Sequence, residues 1–567
     1  MDSAHAQLLG GYPYKFVFMR FSKGYLVICA IVLLAGTSCG RRFPEKSGLS
    51  LFRYNEATNI TSLDPIYARN QANIWAVSQV FNSLLQLDTN LNIVPAIARS
   101  FEVSENGLVY TFLLRTDVYF HDSPAFPGGL GRRVVASDFV YSLSRLIDPA
   151  LRSPGLWVMN AVKRNADGSL AVEAPNDTTL IIHLANAFPP FAGLLSMQYC
   201  AVVPREAVEY FGPEFRRNPV GTGPFQFKYW EEGVKLVLRR QERYWEFEGD
   251  QRLPFLDAIA ITFIADRQSA FLEFVKGNLD FLSGLHASYI DEILTPAGEL
   301  QPKYRDRFHL ITMPFLNKEY LGIYVGESNL PEDWPLRQVK VRQAINYGFD
   351  REKMLRFLRN NIGRPAHAGF VPVGMPGFYE NTGGYYYNPE KAAQLLTEAG
   401  FPQGRGLPRI TLSTNQQHAD IGQFLQHELG KLGIPIAVEV LPPATLREMM
   451  AKQEVQIFRA SWIADYPEAE NYLALFYSRN HTPAGPNFTH FSDARFDALY
   501  EKALAEPDAQ KRIALYQQMN RIIIEQAPVV FLYYDQSMRF VSHRVQGMTN
   551  NLLNHLDLRR VRIVNLE

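Results

Sequence analysis

Cysteine is scarce, with three in 567 residues, so a disulfide-stapled architecture is excluded and packing must hold the chain together. Charge of one sign is missing too. Lys+Arg 57 balances Asp+Glu 57, which leaves no basic excess to draw a nucleic-acid backbone or an anionic membrane surface. Apart from one short run near the start, no stretch approaches the ~18 consecutive apolar residues that a membrane span requires. The sequence also lacks His-Glu-x-x-His, a phosphate-binding Gly-Lys-[Ser/Thr] and paired Cys-x-x-Cys knuckles. The histidines are scattered, and the pairs His418/His427 and His481/His490 miss the one-turn spacing of helical metal ligands. An enzyme therefore finds no support, and no metal or cofactor is expected. Neither repeats nor low-complexity segments occur.

What is present is a large globular chain. Hydrophobic residues make up 47% and charged residues 20%, and the length calls for several lobes. Aromatics reach 13% with only six Trp, a bias that suits a bulky core or a wrapped ligand. The short apolar run, Gly24 to Gly36, follows Arg20 and Lys23 and precedes Thr37-Ser38-Cys39. A basic stretch, a short apolar core and small residues in that order read as an export signal over 1–38. Small residues directly before a cysteine resemble a bacterial lipobox, which makes Cys39 the lipid-anchored first residue of the mature protein. The departure is Gly36 where such boxes carry Leu. A compact signal starts at Met19, so translation from there is expected. Residues 39–48 read as a polar tether. Removing 1–38 takes away Lys15, Arg20, Lys23 and Asp2, and the mature chain stays nearly neutral. With Cys39 lipidated, Cys200 has no disulfide partner.

Mixed α and β patterning follows. Leu51 to Tyr54 reads as a strand, and Ala72 to Leu87 is apolar at helical spacing. Leu108 to Arg115 and Val118 to Phe120 read as paired strands, and Ala136 to Arg145 as a helix capped by Ser137. Further helices are expected at 268–276, 339–346, 389–399, 421–432, 444–452, 467–477, 494–505 and 509–525, with strands at 410–413 and 436–440.

Several segments together carry a resemblance: Leu63-Asp-Pro65, Ile93 to Ser104, Tyr110 to Arg115, Val118 to Asp122, Ser137 to Ser142 with Arg145, and Gly221-Thr-Gly-Pro-Phe225. It continues through Tyr244-Trp245, Val275 to Asp280, Val341 to Ile345 with Asp350-Arg351, Lys391 to Phe401, Trp462-Ile-Ala-Asp-Tyr-Pro467, Phe491-Ser492 and Ala527-Pro528. In this order they resemble the family-5 extracytoplasmic solute-binding proteins, the oligopeptide and dipeptide receptors of ABC importers. His121-Asp-Ser-Pro124 and the longer turn Gly128 to Arg133 depart from the pattern locally. The resemblance implies an α/β, two-lobed periplasmic-binding-protein fold with mixed sheets, an extra α/β subdomain and a hinge between the lobes. On that basis lobe I is 49–75 with 205–312 and 526–567, the inserted subdomain is 76–204, and lobe II is 313–525, with hinge crossings near 312 and 525.

Read as a strand, 457–465 places Ile457, Arg459, Ser461, Ile463 and Asp465 on one side and Phe458, Ala460, Trp462 and Ala464 on the other. The resemblance implies that Asp465 receives a peptide α-ammonium, that Ser461 and Ile463 offer main-chain partners, and that Arg459 meets a C-terminal carboxylate. The alternative for Asp465 is a charge complementing a helix starting near Pro467, and for Arg459 a pairing within its own lobe. Alternation turns Trp462 toward the core, while Trp75 and Trp157 lie in segments that border the cleft in relatives. The implied partners are a short peptide, a permease pair with cytoplasmic ATPases and, through the lipid anchor, a membrane; no nucleic acid is expected, and the receptor is expected as a monomer. Other readings are a non-peptide solute such as a nickel chelate, haem or oligosaccharide, and a sensing or chaperone-like receptor without transport.

Overall fold

Five residues, Leu51–Asn55, begin the order of the fold: Phe52 and Tyr54 are fully buried and the strand pairs in parallel with Ala258–Thr262 and with Phe281–Ser283. The computed structural model describes residues 48–284, 289–327 and 330–564. The export segment, Met19, Cys39 and almost all of the tether lie outside the described residues. Residues 50–567 form one unit.

A mixed sheet of eleven strands runs through it. The order is Ile436–Val440, Ile410–Thr414, Ile457–Ile463, Phe308–Ile323, Val529–Ser542, Phe281–Ser283, Leu51–Asn55, Ala258–Thr262, Lys235–Arg240 and Phe225–Glu231, with Arg364–Pro365 also beside Val529–Ser542. Two cores lie along it. The first gathers Phe52, Tyr54, Trp75, Leu238 and Ile259 together with Phe112, Leu180 and Ile182 of a separate antiparallel sheet. That smaller sheet runs Ala98–Val103, Val109–Leu114, Thr179–His183, Val172–Asn176, the inserted α/β part. The second core gathers Leu321, Ile345, Leu412, Leu425, Phe458, Met519 and Phe531. Two such cores on one chain make the molecule two-lobed and α/β.

Two long strands join them. Phe308–Ile323 and Val529–Ser542 run antiparallel, and their ladder is broken between Pro314, opposite Gln536, and Lys318, opposite Tyr534. Phe308 and Phe540 belong to a small core of their own with Phe271, whereas Leu316 and Val530 belong to the second large core. Residue 312, the first expected crossing, lies within Phe308–Ile323, and residue 525, the second, lies in a helix. Glu525 lies in the last turn of Ala509–Gln526, because Leu515, Met519, Ile522 and Ile523 keep that helix packed on the second core until Ala527 turns left-handed (φ 46°). The strand that follows, Val529–Ser542, carries its side of the broken ladder at Tyr534 to Gln536.

Two further expectations are corrected. The helix at 72–87 is Gln71–Val80 alone, capped by the Asn70 side chain, so a boundary at 75/76 would cut it, and Leu85–Leu87 is a strand. It ends where Gly223 N–H donates to Val80 O at 2.8 Å, an approach so close that a Cβ on Gly221 would sit 2.1 Å from the same oxygen. Helix Ala136–Ile147 is held at its start by Asp138, whose carboxylate accepts from Val135 N–H at 2.9 Å, rather than by Ser137.

Candidate functional site

The strand Ile457–Ile463 carries most of the residues singled out in the sequence. One edge is fully used: Asn317 to Ile323 pair antiparallel with Ile463 back to Ile457. The other edge pairs with Ile410–Thr414 only at Ile457 and Phe458, so among the described residues no strand covers it from Arg459 onward. Direction follows from two bonds at its ends: Tyr324 N–H donates to Gln456 O and Ala464 N–H to Leu316 O, both 2.9 Å. Even-numbered residues thus aim their main-chain groups inward, and alternation turns those of Ser461 and Ile463 to the open edge. The Ile463 side chain is 51% exposed beside it.

Asp465 stands where this edge ends. It is solvent-exposed, yet surrounding protein raises its carboxyl above the usual range, with a hydrogen bond from Asn471 opposing the shift. Among the described residues no basic side chain forms an ion pair with it. The next residues meet the other lobe: Tyr466 is part of the first core, its ring lies 6.4 Å from that of Trp157, and the Tyr199 phenol feels the Asp465 charge. The helix expected at 467–477 is only Glu470–Leu473 followed by a 3-10 turn, Ala474–Phe476, so Asp465 lies five residues before it rather than at its N-terminus.

Arg459 is engaged within its own lobe. Its Nη2 donates to both carboxylate oxygens of Glu319, at 2.9 and 2.7 Å. Asn317 Nδ2 donates to Glu319 Oε1 (3.1 Å) and to Asp535 Oδ2 (2.9 Å), and Asp535 is paired with Arg359 at 3.2 Å. This chain of charges lies across the break in the two crossing strands. Beside it, burial and the two arginines push His418 down to about 4, leaving it neutral at physiological pH. Asn317, Glu319, Asp535 and Arg359 were not among the residues singled out in the sequence. The available signal was the alternation of two polar residues, Asn317 and Glu319, on one side of the strand.

The tryptophans divide. Trp462 is half-buried on the side opposite Arg459, as alternation gave, but its indole N–H donates to Asn471 Oδ1 at 2.9 Å, so it is joined to Asp465 through Asn471. Trp75 is 2% exposed, packs against Tyr54 and Phe281, and donates its indole N–H to Asn554 O at 2.8 Å; it belongs to the first core and not to a cleft surface. Trp157 lines a cavity of about 660 Å³ with Phe188, Leu194, Tyr466, Tyr477 and Leu504, walled from both lobes. Another cavity, about 590 Å³, lies around Asn82, Glu246, His555 and Arg559 and shares no residue with the strand at 457–463. Cys200 is buried, and burial pushes its thiol far above the ordinary range.

The family model of the bacterial extracellular solute-binding proteins, family 5 (middle), matches residues 92–484. The chain belongs to this family. It is 27% identical over 542 residues to the oligopeptide-binding protein OppA of Bacillus subtilis, covering 90% of this chain and 93% of that one. It is 26% identical over 483 residues to heme-binding protein A of Haemophilus influenzae, covering 83% and 84%. Among solved structures, the periplasmic binding protein DppA of Helicobacter pylori in complex with the peptide STSA matches with a TM-score of 0.72 and 23% identity, over 90% of this chain and 98% of that one. The family is one of ABC-transporter solute-binding proteins outside the cytoplasm, and the two-lobed fold is theirs.

Proposed function

We propose that this protein is the exported, lipid-anchored receptor of an ABC importer, which captures short peptides between its lobes and hands them to a permease pair driven by cytoplasmic ATPases. One observation carries the peptide reading: an uncovered strand edge, with the main-chain groups of Ser461 and Ile463 turned outward, ends on a crowded carboxylate, Asp465, that has no basic partner among the described residues. A peptide is the ligand whose backbone completes a strand ladder and whose ammonium supplies the missing charge. At ~4 Å an ammonium and a carboxylate attract by about 4 kcal/mol at an effective dielectric near 20, before desolvation. Backbone pairing reads no side chains, so binding tolerates many sequences. Arg459 contributes less than the resemblance implies, because Glu319 already neutralises it. Cys39 is the anchor in this reading. We place lobe I at 49–80 with 205–315 and 536–567, and lobe II at 316–535.

Native mass spectrometry of the chain purified from a bacterial envelope, followed by denaturation, identifies what it carries. A spread of short peptides is the expected result. A porphyrin, such as the name of the Haemophilus relative raises, or a sugar or metal chelate would keep the receptor and overturn the peptide. Binding of trialanine at least tenfold tighter to the parent than to Asp465→Asn is expected by calorimetry, since stranding one partner of a charge pair costs that much.

A further inference from the structure

Asn471 spends a whole side chain on Asp465 and its neighbours. It is 5% exposed, in the first turn of Glu470–Leu473. Its Oδ1 accepts from Trp462 Nε1 at 2.9 Å and from Asp465 N–H at 3.3 Å, while its Nδ2 donates to Asp465 Oδ2 at 3.2 Å. The indole fixes which way the amide faces: an N–H cannot accept, so Oδ1 must lie toward Trp462, and Nδ2 is left for the carboxylate. Trp462 in turn is held in the strand that offers the open edge. One amide therefore ties the strand, the backbone just beyond it and the carboxylate into a fixed arrangement, with Oδ2 occupied and Oδ1 accepting from no side chain among the described residues.

We infer that Asn471 is the positioning residue for the ligand ammonium: it holds Asp465 Oδ2 and leaves the other oxygen free at the end of the open edge. The inference rests on the reading of Asp465 as the ammonium site. A sensor for charge at this point has few alternatives to a donor amide. The titratable groups that face Asp465 are Tyr199 from the other lobe, the next residue Tyr466, and Glu470 and Tyr472 on the short helix, and none of these is basic. Arg69 lies beside Tyr199 and acts on that phenol. Burial raises Asp465 and the Asn471 bond lowers it. Without that bond the carboxyl takes up a proton at higher pH, and a protonated carboxyl no longer attracts an ammonium.

Calorimetry with trialanine and N-acetyl-trialanine, from pH 5 to 8, tests this on the parent, Asp465→Asn, Asn471→Ala and the double variant. Expected for Asn471→Ala is a roughly tenfold loss of trialanine affinity at neutral pH, the weight of one charge-assisted hydrogen bond. The acid limb of trialanine binding should move to higher pH, the acetylated probe should lose nothing, and in the Asp465→Asn background the second substitution should add little. Equal losses for both probes with an unmoved acid limb would mean a merely structural side chain and overturn the inference. Failure of the parent itself to prefer trialanine over the acetylated probe would instead strike the Asp465 reading, and the inference falls with it. Should Asn471→Ala not fold, Asn471→Leu carries the same comparison, because it keeps the volume and offers neither donor nor acceptor; its acid limb should move as for alanine, and a limb at the parent position overturns the proposal.

Discussion

Lys318 is the least comfortable residue of the chain. It is fully buried at the break in the crossing strands, its ammonium has no hydrogen-bond partner among the described residues, and its nearest polar surface is the face of Tyr534, 4.1 Å away. Glu319 follows it on the strand but points to the other face, where it holds Arg459. Burial accordingly drives the Lys318 amine well below its ordinary range, and the buried Arg351 adds to the shift. The sign follows directly. An unfolded lysine titrates near ~10.4, so below that value unfolding gains a proton the folded chain cannot hold, and stability falls as the pH drops toward the folded value. Replacing the amine by an isosteric apolar chain removes this penalty. Lys318→Met is expected to gain about 1–3 kcal/mol at pH 7, read as a higher denaturant midpoint, and the gain should shrink at pH 10. A gain of equal size at both values would show that packing and not charge is responsible.

At the scale of elements, the strand at 457–463 shows what sequence patterning can and cannot reach. Its alternation was legible, and it correctly set Trp462 opposite Arg459, because a strand has a fixed period of two. Helices 494–505 and 509–526 and strands 410–414 and 436–440 were legible for similar reasons, being long or sharply bounded. The open edge was not legible, since it depends on Ile410–Thr414 leaving the ladder after Ser413, a tertiary event. Neither was the Arg459–Glu319 pair, whose members are 140 residues apart. The helix run 72–87 misled, because apolar spacing continues into residues that close approach of Gly221 and Gly223 forces into a turn and strand. The edge itself is testable. Ile463→Pro removes an outward N–H while leaving the inward ladder intact. Trialanine affinity should fall about tenfold, as for one lost hydrogen bond, with the ligand-free melting temperature nearly unchanged; retained affinity would mean that the ligand does not extend this strand.

Across the whole molecule, the two lobes share a sheet and are joined by two long strands, whose ladder shifts register between Pro314 and Lys318 and again between Glu319 and Tyr320. Between Pro314 and Lys318 the two long strands form no ladder pair with each other, so bending there breaks no pairing between them, and we place the hinge at this gap. The ligand groups proposed above lie on lobe II, while Tyr199, Trp157 and the first core face them from the other side. A ligand touching both walls gains more in the closed arrangement than in the open one, and that difference is all that can drive closure. Small-angle scattering should therefore show a smaller radius of gyration with saturating trialanine than without it. Asp465→Asn at the same probe concentration should return the ligand-free curve, since the missing charge lies on one wall and its loss removes the differential affinity. Identical curves for the parent with and without probe, at a concentration where calorimetry shows saturation, would mean that binding leaves the lobes where they stand and that the break in the ladder is not a hinge.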